Sequence, residues 1–449
     1  MQKFDDLNIS QEMKTRLKSL GFEILTSVQK QSIPLIIEGK DIVSRAKTGS
    51  GKTLAFALPI VEMVASQQKL PQVLIIAPTR ELCEQIAGVI KSIAIHKANL
   101  KVVTLYGGTP LKGQLLSLEK GADIVIGTAG RLIDHLSRET LILSNIDILV
   151  LDEADRMLDM GFYDDIIKII SNIKKRPQTL LFSATYPENI ERLAKNILKN
   201  PTKITIEDEE KNNIKQIAFQ SRNKNDAILS ILKSYKPKSA IIFCNTKIQT
   251  DELYDFLYDN EFDAISIHGD FEQRDRNEAL MQFANGSRPI LVATDVASRG
   301  LDIDDIELVI NYDLPFKSET YTHRIGRTAR AGKDGVAISI FDSTYKLEEI
   351  APEAIITNIS TLKVDEKFTI SGQYETIHID GGKRDKLRKG DILGTLCKDL
   401  GLDNANIGKI EVTDKASYVA IDKHFAKDVF KKLQNCTIKK RKYRVWLLK

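Results

Sequence analysis

Cysteine is scarce in this 449-residue chain and scattered along it: Cys83, Cys244, Cys397 and Cys436 lie far apart, with no Cys-x-x-Cys pair. That spacing excludes a dense disulfide scaffold and offers no zinc knuckle, so the thiols read as reduced and buried. No apolar run approaches the ~20 residues that cross a bilayer. The N-terminal stretch mixes Asp5, Asp6 and Glu12 with its apolar residues, unlike a signal peptide. A membrane role is not expected, and the cytoplasm is the expected location. Net charge is small too, +4 overall, which by itself points to no anionic partner. No clear internal repeat is present.

What is present is an ordinary globular composition, 42% apolar and 28% charged. The length is too great for one core and suggests about three domains. Short β-branched runs alternate with amphipathic stretches: VLII at Val73 to Ile76, DIVI at Asp123 to Ile126, ILVL at Ile148 to Leu151 and TLLF at Thr179 to Phe182. Apolar runs of this length followed by helical patterns read as buried parallel strands, so residues 1–206 form an α/β domain. A polar stretch from Glu207 to Asn213 reads as a linker, and a second α/β domain follows over 214–360, with strands at AIIF (240–243), AISI (264–267), ILVA (290–293), ELVI (307–310) and VAISIF (336–341). Over 375–449 the order becomes β-α-β-β-α-β, the split βαβ plan shared by RNA-recognition modules. This last segment holds 18 Lys+Arg against 10 Asp+Glu, whereas residues 1–374 hold 47 against 51. A basic module on a slightly acidic body favours an anionic partner.

Chemistry gathers at particular positions. Ala46, Lys47, Thr48, Gly49, Ser50, Gly51, Lys52 and Thr53 follow a strand and open a helix, as a phosphate-binding loop requires. The glycines let backbone N–H groups curl around phosphates, Lys52 can reach the β and γ phosphates of ATP, and the Thr53 hydroxyl can ligate Mg²⁺. About a hundred residues later Asp152-Glu153-Ala154-Asp155 follows an apolar strand. Asp152 can hold Mg²⁺ through water, and Glu153 can orient the water that attacks the γ-phosphate. APTREL (77–82), GTAGR (127–131), SAT (183–185), CNT (244–246) and ATDVASRGLD (293–302) also fall at carboxyl ends of strands, where ligands of parallel sheets bind. Two such sheets could face one cleft. In HRIGRTAR, Arg324, Arg327 and Arg330 recur every three residues, which predicts a shared helix side and an arginine finger supplied to the phosphates.

The ordered set GF...TSVQ, AKTGSGKT, PTREL, GG, TAGR, DEAD, SAT, HGD...QRDR, ATDVASRGLD and HRIGRTAR closely resembles the DEAD-box RNA helicases over about residues 1–345. The resemblance implies two tandem RecA-like domains and RNA-dependent hydrolysis of ATP with Mg²⁺. It makes Gln29, with Phe4 upstream, the adenine-reading element and Asp302 a ribose contact. It gives Lys52, Asp152, Glu153, Arg327 and Arg330 the catalytic roles, and Ser183, Thr185 and His323 the coupling of hydrolysis to strand separation. RNA-backbone contacts fall by resemblance to Pro78, Thr79, Arg80, Gly108, Thr128, Gly130 and Arg131, then to Asn245, Gly269, Arg276 and Thr294. These groups suit phosphates and 2′-hydroxyls without an aromatic ladder, so binding by the core should be largely independent of sequence.

Three departures stand out: Ala129 where the family usually has Pro, Ala329 where it often has Gly, and Leu25 and Ser27 at positions that commonly carry Pro. None removes a charge or a catalytic hydroxyl, so loop rigidity is what they put in question. The segment from Ile379 to Ile410 and the final KKRKYRVWLLK resemble the RNA-binding domain of one bacterial subfamily, DEAD-box protein A. That implies an RRM-like α+β fold directed to a hairpin of 23S ribosomal RNA, with pre-ribosomal particles as partners of a monomer. On its strands only Tyr418 keeps an expected exposed aromatic. RNA is therefore expected on the basic loops, through Lys383, Arg384, Lys386, Arg388, Lys389, Lys439, Lys440, Arg441 and Lys442, with Tyr418 beside them. Alternatives from the residues alone are a DNA translocase, a general RNA remodeller, or an ATP-dependent RNA clamp without ribosomal specificity.

Overall fold

The computed structural model describes residues 2–46, 49–206, 214–295, 306–329 and 334–448, and among them the strands form three sheets. In the first, β1 (Ile42–Arg45), β2 (Val73–Ile76), β3 (Val102–Leu105), β4 (Ile124–Gly127), β5 (Ile148–Leu151), β6 (Gln178–Ser183) and β7 (Thr202–Thr205) lie in the order β3-β4-β2-β5-β6-β1-β7. The second runs β10-β11-β9-β12-β13-β8-β14, from β8 (Ile214–Gln220), β9 (Ala240–Cys244), β10 (Ala264–Ile267), β11 (Ile290–Thr294), β12 (Leu308–Asn311), β13 (Gly335–Phe341) and β14 (Ile355–Thr357). Pairing is parallel throughout both. The third is antiparallel, β16-β17-β15-β18, from β15 (Tyr374–Ile379), β16 (Ile407–Val412), β17 (Ser417–Asp422) and β18 (Val445–Leu447). The architecture is thus two RecA-like α/β sheets and a small α+β module. The chain divides into two compact units, one built on the first sheet and the other carrying the second and third together.

The apolar runs reflect burial on both faces. Along β2, Val73 and Ile75 pack into one layer while Leu74 and Ile76 pack into the other; β5 does the same with Ile148 and Val150 against Leu149 and Leu151. Strand order then sorts the chemistry. The phosphate loop leaves β1, the DEAD residues leave β5 and SAT leaves β6, and these three strands are neighbours. The segments assigned to RNA leave β2, β3 and β4, which form the other half of the sheet. The second sheet repeats the plan: Asn245, Gly269 and Thr294 lie at the ends of adjacent β9, β10 and β11.

One expectation is overturned in the second unit. Tyr418, expected on an exposed sheet face, is 6% exposed. The helix Gln273–Ala284 covers that face: Glu278 Oε1 lies 3.0 Å from His378 Nδ1 and accepts from Tyr418 Oη at 3.5 Å and from Arg274 Nε at 3.1 Å. Arg274 also sits 5.5 Å over the Trp446 ring, while His378 packs between Trp446 (3.9 Å) and Tyr418 (4.7 Å). Burial lowers the His378 pKa and pushes that of Tyr418 up to about 12. Apolar ring surface on one module is thus covered by the polar and aliphatic face of a helix from another.

A buried hydroxyl knot completes this contact: Thr376 Oγ1 accepts from Asn285 Nδ2 at 2.8 Å and lies 2.9 Å from Ser287 Oγ. Thr376→Val should leave the Asn285 amide unpaired at a cost of about 1–3 kcal/mol. The full chain has one tryptophan, Trp446, at this contact, so its fluorescence reports the transition. The urea midpoint it records should fall in the variant, and an unchanged midpoint would refute the assigned role of the knot.

Candidate functional site

The phosphate loop is shaped by one glycine and one glutamine. Gly51 has φ +89° and caps the helix Lys52–Met63; a Cβ there would lie 2.5 Å from Gln29 Nε2. Gln29 is at the third position of the helix Ser27–Ile37, where its Oε1 accepts from Thr26 N at 3.0 Å as the returning half of a capping box. Its Nε2 donates to Gly51 O at 3.2 Å, so the residue assigned to the base is anchored to the loop assigned to the phosphates. Phe4 is 2% exposed in the core, with Phe22 the more exposed ring beside it at 6.4 Å. Lys47, Thr48, Asp302 and Arg330 lie outside the described residues. Gly49, Ser50 and Thr53 are at least partly open to solvent.

Lys52 is buried, and its Nζ donates to Ala46 O at 2.7 Å. Asp152 lies at the end of β5 and is 2% exposed. Burial pushes its carboxyl up to about 7, with Glu153 and Asp155 adding to the rise and Lys52 opposing it. Glu153 has a left-handed backbone, φ 49° and ψ 50°, a strained conformation for a non-glycine residue. Its Oε2 accepts from Arg156 Nη1 at 2.8 Å in a buried ion pair. Asp155 joins the strands: Oδ2 accepts from Ala184 N (3.1 Å), Thr185 N (2.9 Å) and Thr185 Oγ1 (2.9 Å), and its own N–H donates to Ser183 Oγ at 3.3 Å. Ser183 O in turn accepts from Ala46 N at 3.0 Å. Among the described residues no three His, Cys, Asp or Glu side chains form a metal cage. The donor set of one strand-end carboxylate and one hydroxyl fits an ion held chiefly by phosphates, as Mg²⁺ is.

On the other half of the first sheet, Thr79 caps the helix Arg80–Ile93 by accepting from Leu82 N at 3.3 Å, with Pro78 buried before it. Arg80 lies 4.7 Å over the Tyr106 ring, and its buried Nη1 has no hydrogen-bond partner among the described residues. Tyr106 Oη donates to Glu84. Gly108, at φ +75°, and Gly130 are exposed, whereas Thr128 precedes the helix Ala129–Ser137 and Arg131 is largely covered.

In the second unit Arg324 and Arg327 do not share a helix side. The helix Ser318–Ile325 ends before Arg327, with Gly326 at its cap. Arg324 is consumed inside the domain: it donates to Asp295 Oδ1 (2.6 Å) and Oδ2 (2.7 Å), Asn311 Oδ1 (3.2 Å), Asp313 O (2.6 Å) and Asn245 Oδ1 (2.9 Å). Arg327 is buried beyond the helix end, and His323 is half-buried on it. Asn245 also donates through Nδ2 to Leu314 O at 2.9 Å, so both ends of its carboxamide are engaged within the domain. Gly269 is exposed, and Arg276 and Thr294 are half-buried.

In the C-terminal module two sequence-distant basic runs meet. Lys439 Nζ donates to Lys386 O (2.9 Å) and to Asp391 Oδ2 (3.3 Å), and Arg441 Nη1 donates to Asp385 Oδ1 (3.3 Å). Lys383, Arg384, Arg388, Lys389, Lys440 and Lys442 are exposed around this junction. The two acidic partners hold the loops together and leave a surplus of cations on one edge. Sequence reasoning missed Arg156, Tyr106, Glu84 and Glu278: the last three matter through tertiary partners that no local spacing announces, whereas Arg156 meets Glu153 at the local i, i+3 spacing.

Three family models match in order: DEAD/DEAH box helicase over residues 26–193, helicase conserved C-terminal domain over 223–332, and DbpA RNA binding domain over 376–447. The ATP-dependent RNA helicase DbpA of Escherichia coli (strain K12) is 42% identical over 461 residues, covering 100% of both chains. The ATP-dependent RNA helicase DbpA of Bacillus subtilis (strain 168) is 37% identical over 475 residues, covering 99% of each. Among solved structures, S. cerevisiae Dbp5 bound to RNA and ADP BeF3 matches with a TM-score of 0.73 at 28% identity, covering 80% of this chain and 96% of that one. With a phosphate loop, a DEAD carboxylate junction and a basic C-terminal module in one chain, and relatives matched from end to end, this protein belongs to the DEAD-box ATP-dependent RNA helicases of the DbpA group, which are RNA-dependent ATPases.

Proposed function

We propose that this helicase separates short RNA duplexes locally in the cytoplasm, as a monomer directed by its C-terminal module to a hairpin of 23S ribosomal RNA in pre-ribosomal particles. The observation that carries the targeting half is the junction of the 383–391 and 439–442 loops, which gathers cations on an edge while the sheet face beside it is covered by the helix Gln273–Ala284. RNA then has a basic edge to grip and no open stacking face.

In the motor, Mg²⁺ would be held by Thr53, Asp152 and the phosphates, where it would neutralise developing charge. Lys52 binds the β and γ phosphates, Gln29 the adenine and Asp302 the ribose. Glu153, held by its backbone and by Arg156, orients the attacking water. Arg327 and Arg330 supply charge stabilisation from the second unit, so hydrolysis requires both units, and RNA contacts on each favour the competent state. Pro78, Thr79, Arg80, Gly108, Thr128, Gly130 and Arg131 grip the RNA backbone in the first unit, as Gly269, Arg276 and Thr294 do in the second. The buried unpaired Nη1 of Arg80 supports this, since a phosphate would supply its missing acceptor. Asn245 acts mainly by orienting Arg324.

Glu153→Gln should retain ATP and RNA binding and lower RNA-stimulated turnover by roughly 10²-fold or more. Normal turnover in a single-turnover assay would remove Glu153 from its role.

Asp152 gives a pH signature. Its raised carboxyl pKa means the folded chain favours the protonated form, so its contribution to stability is present at acid pH and lost as pH rises through about 7. A bound cation favours the ionised form, so magnesium-nucleotide binding near pH 7 should release a proton. Calorimetry in buffers of different ionisation enthalpy should show this, and Asp152→Asn should abolish it; buffer-independent heats for the parent chain would contradict the assignment.

Neutralising Lys439, Lys440, Arg441 and Lys442 together should erase the preference for a 23S hairpin over unrelated RNA in ATPase activation. It should also flatten the salt dependence by about 0.7–0.9 per lost phosphate contact. A retained preference would leave a general RNA remodeller or clamp as the better reading.

A further inference from the structure

The nine-residue helix Leu111–Glu119 buries a glutamine rather than one of its leucines. Gln114 is 8% exposed and Leu116 is 48% exposed. Burying a carboxamide is unfavourable unless its hydrogen bonds are replaced, and here all four are. Nε2 donates to Tyr106 O at 2.9 Å and to Thr109 Oγ1 at 2.8 Å. Oε1 accepts from Arg131 Nη1 at 3.1 Å and from His135 Nε2 at 3.0 Å. The orientation of the amide is fixed by this set, since a flip would turn its oxygen towards the Tyr106 carbonyl.

Each partner belongs to an RNA-assigned element or to its support. Tyr106 and Thr109 bracket the Gly107-Gly108 turn. Arg131 and His135 lie one helical turn apart on the helix Ala129–Ser137, and Arg131 also reaches Thr109 O at 3.4 Å. His135 is fully buried, with Nδ1 2.8 Å from Thr140 Oγ1. Burial, and then Arg131, hold its pKa below the usual histidine range, which favours the neutral ring, and the Gln114 oxygen facing Nε2 makes that nitrogen the donor. Tyr106 continues the chain to the third RNA segment through its ring under Arg80.

We infer that Gln114 is a positioning residue for RNA binding, setting the spacing between the Gly107-Gly108 turn and the Arg131 guanidinium so that the two grip the RNA backbone as one preformed surface. The inference rests on the reading that Gly108 and Arg131 contact RNA. Without Gln114, Arg131 and the turn must be ordered by the RNA itself, and affinity falls while the chemistry is spared.

The test uses the full chain in steady-state ATPase assays with a single-stranded RNA oligonucleotide, below the thermal midpoint of every variant. Gln114→Met, similar in volume but without the four bonds, should raise the half-saturating RNA concentration about tenfold, the scale of one long side chain left unordered. The loss should fall on that concentration rather than on kcat. Gln114→Glu, which keeps the acceptor for Arg131 and His135, should fall between Met and the parent, and it serves alone should the Met variant fail to fold. Combining Gln114→Met with Arg131→Gln should weaken RNA no further than Arg131→Gln does. If Arg131→Gln leaves RNA half-saturation unchanged, the reading of Arg131 as an RNA contact fails and takes the inference with it. If Arg131→Gln weakens RNA and neither Gln114 variant does, or if the two effects add in full, the positioning role alone is overturned.

Discussion

Asp155 is the last carboxylate of the DEAD tetrad, and one of its oxygens accepts three hydrogen bonds from the segment that follows β6. Around it the ends of β5 and β6 are clamped, and through Ser183 the start of the phosphate loop is tied to the same point. A buried carboxylate is tolerable only when its lone pairs are answered, and backbone amides at strand ends do so without added side-chain entropy. Because β5, β6 and β1 are neighbours, whatever moves Asp155 moves the nucleotide loop and the SAT segment together. The strand order in which this junction sits puts the segments assigned to nucleotide on one half of the sheet and those assigned to RNA on the other.

The strands legible in the sequence are those buried on both faces, such as VLII of β2 and ILVL of β5, because a continuous apolar run this short suits a sheet interior better than a solvated helix or loop. The less legible ones are mostly short and mixed: VVTL of β3, TKIT of β7 and IIT of β14, at sheet edges where one side needs no apolar partner. Site residues split in the same way. The placement of Lys52, Glu153 and Ser183 at the carboxyl ends of strands is legible because each follows a short apolar run, while their roles come from the family resemblance. Arg324 and Arg327 look alike three residues apart, and only the acidic and amide groups around Arg324 mark it as a brace of its own domain. Tyr418 reads as exposed from its own strand because the helix that covers it lies about 140 residues earlier in the chain.

The departures from the family pattern have local physical causes and costs. Ala129 and Ser27 are each the first residue of a helix, the place where proline is favoured because its missing N–H has no helical partner to lose. Their replacement forfeits some rigidity in the unfolded chain and removes no contact. Ala329 takes φ 55°, which accounts for glycine being common there and gives this chain a strained backbone beside its arginine segment.

The helix Gln273–Ala284 has obligations on two sides. Arg276, which the family resemblance assigns to RNA, lies on it, while Arg274 and Glu278 seal the aromatic face of the C-terminal module. Modular enzymes are often imagined as interchangeable parts, but here the seam runs through a catalytic-domain helix. A chimaera that grafts this tail onto a foreign core would lay bare His378, Tyr418 and Trp446 as an adhesive patch unless the cation and carboxylate at 274 and 278 travel with it. Exchange of tails between such motors is therefore constrained by a pair of residues that belong, by sequence, to neither the tail nor the active site.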